Sequence, residues 1–130
     1  MDENRDIALS DLQLDLMRVL WARGEASTAE VAEALAGSRD LAYTTVATLL
    51  SRLEKRGLLS ARRDGRQVCY RPRIAEHEVR RSMVSGLLGS LFGGDARALL
   101  AHLLREEEIQ PGDLTRARAL LDADKGGRHD

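Results

Sequence analysis

Apolar positions recur at helical spacing along most of this chain and switch to strand-like segments between residues 59 and 71. Leu12, Leu16, Val19 and Leu20 mark a first helix. It opens at Ser10-Asp11-Leu12-Gln13, a capping box in which the Ser10 hydroxyl serves the amide three residues on and Gln13 reaches back. Gly24 stops it. Ser27-Thr28-Ala29-Glu30 is a second capping box. It begins a short helix with Val31, Ala34 and Leu35 on its apolar side and Gly37 at its end. So short a helix is stable only when packed on its neighbours.

A third helix is predicted from near Leu41 to just before Gly57. Val46, Leu49, Leu50 and Leu53 fall in one sector of it, and Tyr43, Thr44, Ala47, Thr48 and Ser51 in the opposite one. The second set is short, polar and uncharged, where an ordinary solvated face would favour Glu and Lys. Small side chains permit close approach to a groove, and hydroxyls can bond base edges or phosphates. Beyond Gly57, the segments Leu59 to Arg63 and Arg66 to Arg71 read as strands joined by Asp64-Gly65, which suits a type I′ turn. Arg62, Arg63 and Arg66 then crowd the hairpin tip, and Pro72 ends the second strand. Helix, Gly stop and basic hairpin in that order are what a winged helix-turn-helix requires, with Tyr43 and Arg52 flanking the groove-facing stripe and the hairpin gripping phosphate.

From about Ala75 the chain returns to helix, with Val79, Met83, Leu87, Leu88 and Leu91 on one side. Gly93-Gly94-Asp95 breaks it and caps a helix carrying Leu99, Leu100, Leu103 and Leu104. Pro111 opens a last helix with Leu114, Ala117, Leu120 and Leu121 along one face. The fold class expected is mainly α with a small β-hairpin wing, divided as a winged helix over residues 1–73, a helical dimerisation region over 74–121 and a flexible tail over 122–130. A minimal winged helix leaves the apolar faces after Ala75 without an obvious cover, so a twofold partner is their natural burial surface.

At 130 residues there is room for one ordinary domain, or a small one with a helical appendage. The net charge of -1 argues against nucleic acid until it is divided along the chain. Residues 39–73 carry 9 basic and 3 acidic side chains, a surplus of +6 flanked by -5 before and -2 after. Cys69 is the one cysteine, so a cysteine metal cluster or internal disulfide is excluded; a half-buried filler in mid-strand is its expected part. His77, His102 and His129 lie in separate elements, and no metal, cofactor or catalytic set can be assembled. Trp21 is expected as a core anchor and Glu106-Glu107-Glu108 as a solvated helix end. An acidic Met1-to-Asp6 start with no apolar run behind it is no secretory signal, and no stretch approaches the roughly 18 apolar residues of a membrane span. Cytoplasmic residence is the expectation.

Leu12 to Trp21, the run from Thr44 to Leu53 ending Ser51-Arg52-Leu53, the Gly57 stop, the basic hairpin and Phe92-Gly93-Gly94-Asp95 together resemble the penicillinase-repressor (BlaI/MecI/CopY) family, from about Ser10 to Leu121. The resemblance implies a homodimeric repressor whose C-terminal helices interlock while each winged helix enters half of an inverted-repeat operator. It also implies release on a signal. In antibiotic-responsive members that signal is cleavage by a membrane-bound metalloprotease, and the matching bond here is His102-Leu103 where those members resemble Asn-Phe. Copper-responsive members carry a C-terminal Cys-x-Cys that this chain lacks, and Ala47 stands where some members have a basic residue. Two other readings remain at this point: a winged helix that binds a protein through the same stripe, and a regulator with a small-ligand pocket between wing and C-terminal helices. The hairpin arginines also have a plainer use, as charges that guard a strand edge against aggregation.

Overall fold

The computed structural model describes residues 7–127, with side chains through Ala123. The acidic Met1-to-Asp6 segment and the last three residues of the expected tail lie outside them. The described elements are α1 (Asp11–Arg23), β1 (Ala26–Ser27), α2 (Thr28–Leu35), α3 (Tyr43–Lys55), β2 (Leu59–Asp64), β3 (Gln67–Pro72), α4 (Glu76–Phe92), α5 (Ala96–Arg105) and α6 (Pro111–Gly127). Packing divides the chain into two units, one ending at Val84 and the other starting at Ser85.

Local chemistry sets the helix ends in the first unit. Ser10 Oγ accepts from the Gln13 amide at 3.1 Å while Gln13 Oε1 accepts from the Ser10 amide at 2.9 Å. Ser27 and Glu30 repeat the arrangement at 3.2 and 2.8 Å, so both capping boxes form. Gly57, at φ +85°, lets the chain turn sharply after α3, and the Leu58 amide donates back to the Leu53 carbonyl at 3.0 Å. That turn delivers Leu58 and Leu59 straight into the core.

The sheet has the order β1-β3-β2, all antiparallel, so β3 is central. The two-residue β1 has no hydropathy pattern and was not anticipated; it pairs Ala26 with Tyr70 and Ser27 with Cys69. Asp64 pairs with Gln67, which makes Gly65-Arg66 the two-residue loop instead of Asp64-Gly65. Gly65 has φ +65° and Arg66 is not at positive φ, the pattern of a type II′ turn rather than type I′. Arg66 therefore occupies the tip itself.

Leu16, Met17, Leu20, Val31, Val46, Leu50 and Leu53 from the three helices meet Leu58, Leu59 and Tyr70 from the sheet in one core. Each fully buried leucine contributes about 1.5–3 kcal/mol. Ala34, expected on the apolar side of α2, faces solvent instead. Trp21 packs against the core with its indole N–H donated to the Ile74 carbonyl at 2.9 Å, the anchoring part expected of it.

The first half of α4 also belongs to this core. Val79 is 1% exposed there, Met83 packs against it, and the Ile7 amide donates to Ser82 Oγ at 2.9 Å. Val79 and Met83, expected on a dimer face, thus pack within their own chain, and Val79 is closed to any partner. Periodicity identifies an apolar stripe but not the body that covers it.

The second unit has no core of its own: no described residue from Ser85 to Ala123 is buried. Leu87, Leu91, Leu100, Leu120 and Leu121 are exposed, Leu120 to 73%, and Leu88, Leu99, Leu103 and Leu104 are half-covered. Gly93 and Gly94, both at positive φ, end α4, and Asp95 Oδ1 accepts from the Arg97 and Ala98 amides to cap α5. Pro111 opens α6 as expected, but the helix runs on to Gly127 where a loose tail from Asp122 was expected. Arg118 pairs with Asp122 across one turn at 3.9 Å. No single described helix is long and apolar enough to cross a membrane.

Candidate nucleic-acid interface

On α3, the buried side is Val46, Leu50 and Leu53, with Leu49 half-covered. Tyr43, Thr44, Thr48 and Arg52 are exposed, while Ala47 and Ser51 are half-buried at the flank. The open face is turned slightly towards Thr45, which is also exposed and was missed; it lies two turns before Arg52 on the same line of the helix. The solvent face thus presents Thr44, Thr45 and Thr48 with a cation at its end. Unlike α1 and α2, α3 begins at an alanine N-cap, Ala42, with no side-chain cap and no acid in its first turn. Its first amides have no side-chain acceptor and its first turn holds no acid, although the exposed Asp40 stands two residues before the cap.

Strand geometry sorts the wing arginines. Directly paired residues share a sheet face and adjacent residues do not. Arg63 and its partner Val68 therefore share the face of Leu59, Ala61 and Tyr70, which packs on the helices, whereas Arg62 and its partner Cys69 share the outer face with Ser27. The three arginines do not crowd together. Arg63 and Arg66 are exposed and make no ion pair with another described residue, as is also true of Arg52, Lys55, Arg71 and Arg73.

Arg62 is different. Its Nε and one terminal nitrogen donate to the two carboxylate oxygens of Glu25 at 2.8 and 2.9 Å, and Asp64 lies 3.9 Å from the other terminal nitrogen. The fork holds the Glu25 carboxyl below its usual range, mainly through the Arg62 hydrogen bond and against a smaller desolvation penalty, and it raises Arg62 in turn. Glu25, just before β1, escaped notice in the sequence because its partner is 37 residues away. Arg39 is likewise engaged, by Asp15 of α1 at 2.7 Å, and this lowers the Asp15 carboxyl while tying the segment before α3 to the first helix. Burial raises the Tyr70 hydroxyl beneath this surface, with Glu54 adding to the shift.

Cys69 is a buried free thiol between Ser27 and Arg62, a filler somewhat more enclosed than expected. Among the described residues no His, Cys, Asp and Glu group is placed to hold a metal ion.

The sequence profile described as penicillinase repressor matches residues 9–123. The chain belongs to the penicillinase-repressor family. It is 41% identical over 123 residues to the transcriptional regulator BlaI of Mycobacterium tuberculosis (strain H37Rv), covering 92% of this chain and 89% of that one. It is 25% identical over 117 residues to the penicillinase repressor of Bacillus licheniformis, covering 90% and 91%. Among solved structures it resembles the DNA-binding domain of the repressor BlaI, with 32% identity and a TM-score of 0.52 over 57% of this chain and 90% of that one. The family and the Bacillus licheniformis relative are penicillinase repressors and the Mycobacterium tuberculosis relative is a transcriptional regulator, not enzymes. The chain is therefore a transcriptional repressor of the penicillinase-repressor type with a DNA-binding domain, and the hydroxyl face of α3 and the basic hairpin are its candidate surfaces.

Proposed function

We propose that this penicillinase-repressor family member binds duplex DNA as a homodimer on an inverted-repeat operator, with α3 in the major groove and the wing on the backbone. The observation that carries the reading is the exposed, uncharged hydroxyl face of α3 flanked by Arg52, beside a wing whose Arg63 and Arg66 have no carboxylate partner among the described residues. Thr44 and Thr48 face base edges, with Ala47 giving close approach and Tyr43 and Ser51 at the margins. Arg63 and Arg66 hold phosphate. These contacts divide as sequence-reading and sequence-independent binding should.

Dimerisation is supported by the second unit, where Leu87, Leu91, Leu100 and Leu120 are exposed and no described residue is buried. Two protomers would bury Leu88, Leu99, Leu103 and Leu104 more deeply as well, and would set half-sites about 10 base pairs apart or a multiple of that. Selection of bound duplexes from a random library tests the operator. The reading requires an enriched inverted repeat, and a pool that stays random would refute it.

Release by a membrane-bound metalloprotease at His102-Leu103 has a structural condition. The bond lies inside α5, with the His102 ring 5.8 Å from that of Phe92, so a protease needs α5 to unwind locally before the backbone can enter an active site. Release by this route predicts a protease-resistant bond in the DNA-free protein at rest and a new fragment boundary after residue 102 once the signal is given. Dissociation from DNA without that fragment would exclude it.

A further inference from the structure

We propose that Glu25 acts as an internal substitute for a DNA phosphate, holding Arg62 away from the backbone and so leaving the phosphate grip of the wing to its arginines unpaired among the described residues, Arg63 and Arg66 foremost. The proposal rests on the DNA-binding reading above and concerns the strength of that binding. A guanidinium meets a phosphate through the same two-pronged donor geometry it uses for a carboxylate. In Arg62 those prongs are already on Glu25 at 2.8 and 2.9 Å, and the remaining edge faces Asp64. DNA would have to displace a carboxylate to use Arg62, and the pair as it stands carries no net charge towards a phosphate.

Three further features favour the internal pairing. Strand register puts Arg62 on the outer face, opposite Cys69, while Arg63 next to it takes the face shared with Val68. Glu25 precedes β1, whose pairing with β3 brings the carboxylate to that outer face, where it borders a cavity of about 240 Å³ together with Ser60, Arg62, Cys69 and Arg71. Glu25 is the less exposed partner, its side chain 25% accessible against 55% for Arg62, so the carboxylate is the fixed half of the pair and the arginine the half that is held. A repressor that must leave its operator on a signal gains from such an arrangement, because each phosphate contact strengthens binding to all DNA alike.

The test is a double-mutant cycle on the full chain, read by fluorescence anisotropy with a random-sequence duplex over a range of salt. Glu25→Gln keeps the shape and removes the charge; it should raise affinity and steepen the slope of log K against log salt by about 0.9, the value of one added phosphate contact. Arg62→Ala alone should leave the slope as in the wild type, and adding it to Glu25→Gln should abolish the gain. Arg62→Ala flattening the slope, or Glu25→Gln giving the same gain with and without Arg62, or giving none, would overturn the proposal. Arg63→Ala separates the two levels: if it flattens the slope while the cycle fails, only the Glu25 proposal falls. If the wild type does not bind duplex DNA, both fall.

Discussion

At the scale of single residues, the hydroxyls of α3 and the cations of the wing are assigned different parts, and substitutions should separate them. In the proposed reading Thr48→Ala removes a contact to bases, so it should lower affinity for the selected operator by about 1 kcal/mol, close to fivefold, and leave random duplex nearly untouched. Competition anisotropy with the two duplexes gives the ratio. Arg63→Ala should weaken every sequence equally and flatten the salt dependence by about 0.9. The residue scale is also where sequence reading reached least far. The stripe Tyr43, Thr44, Ala47, Thr48 and Ser51 was legible because a helix repeats every few residues, but Thr45 lies at the edge of the wheel, where only packing decides exposure. The commitment of Arg62 to Glu25 was beyond reach, since nothing local connects residues 37 apart and the two-residue β1 that brings them together has no pattern. The type of turn was missed for a related reason: glycine satisfies positive φ in either of two adjacent loops, and only the pairing of Asp64 with Gln67 chooses between them.

Individual elements were more legible, because their signals are local. Both capping boxes were readable from partners three residues apart, and the stops at Gly24, Gly57 and Gly93-Gly94 from the positive φ those positions take, whereas Gly37 follows α2 without one. Ser27 carries two duties, ending β1 and capping α2, and it is 1% exposed. Ser27→Ala should cost about 1 kcal/mol in urea unfolding, with α2 losing amide protection before the rest of the unit. Asp15 ties α1 to Arg39 and also pairs with Arg18 within the same helix. Its carboxyl and that of Glu25 lie below their ordinary values in the folded chain, so they are charged and stabilising above the unfolded range. That contribution is lost as pH falls through about 4 and below, because the unfolded chain takes up protons first. The thermal midpoint should therefore drop in acid, and Asp15→Asn should lower it at pH 7 while making the acid drop shallower. A midpoint equal to that of the wild type at pH 7 would mean the ion pair does not brace α3. Helix α6 reaches beyond Leu121 over a stretch that has no apolar stripe and ends in two glycines, so neither pattern nor propensity announced it.

For the whole molecule, the contrast between a unit with a closed core and one without makes assembly the central issue. Apolar periodicity marked the stripes of the C-terminal helices, yet it could not assign Val79 to the core of the winged helix or leave Leu91 exposed at 66%. The second unit should be stable only when paired, so Leu91→Lys should shift the light-scattering mass from two chains to one and reduce helical content without unfolding the first unit. The same change should weaken binding to an inverted repeat far more than to a half-site, since the second contact is no longer delivered by the first. The most direct test of the account is the affinity of wild-type and Thr48→Ala protein for a duplex selected from a random library and for a random duplex of equal length, at one salt concentration. The account predicts an enriched inverted repeat bound by two protomers, with Thr48→Ala losing preference for it while keeping its hold on random DNA. Equal loss on both duplexes, or no enriched sequence at all, would contradict it.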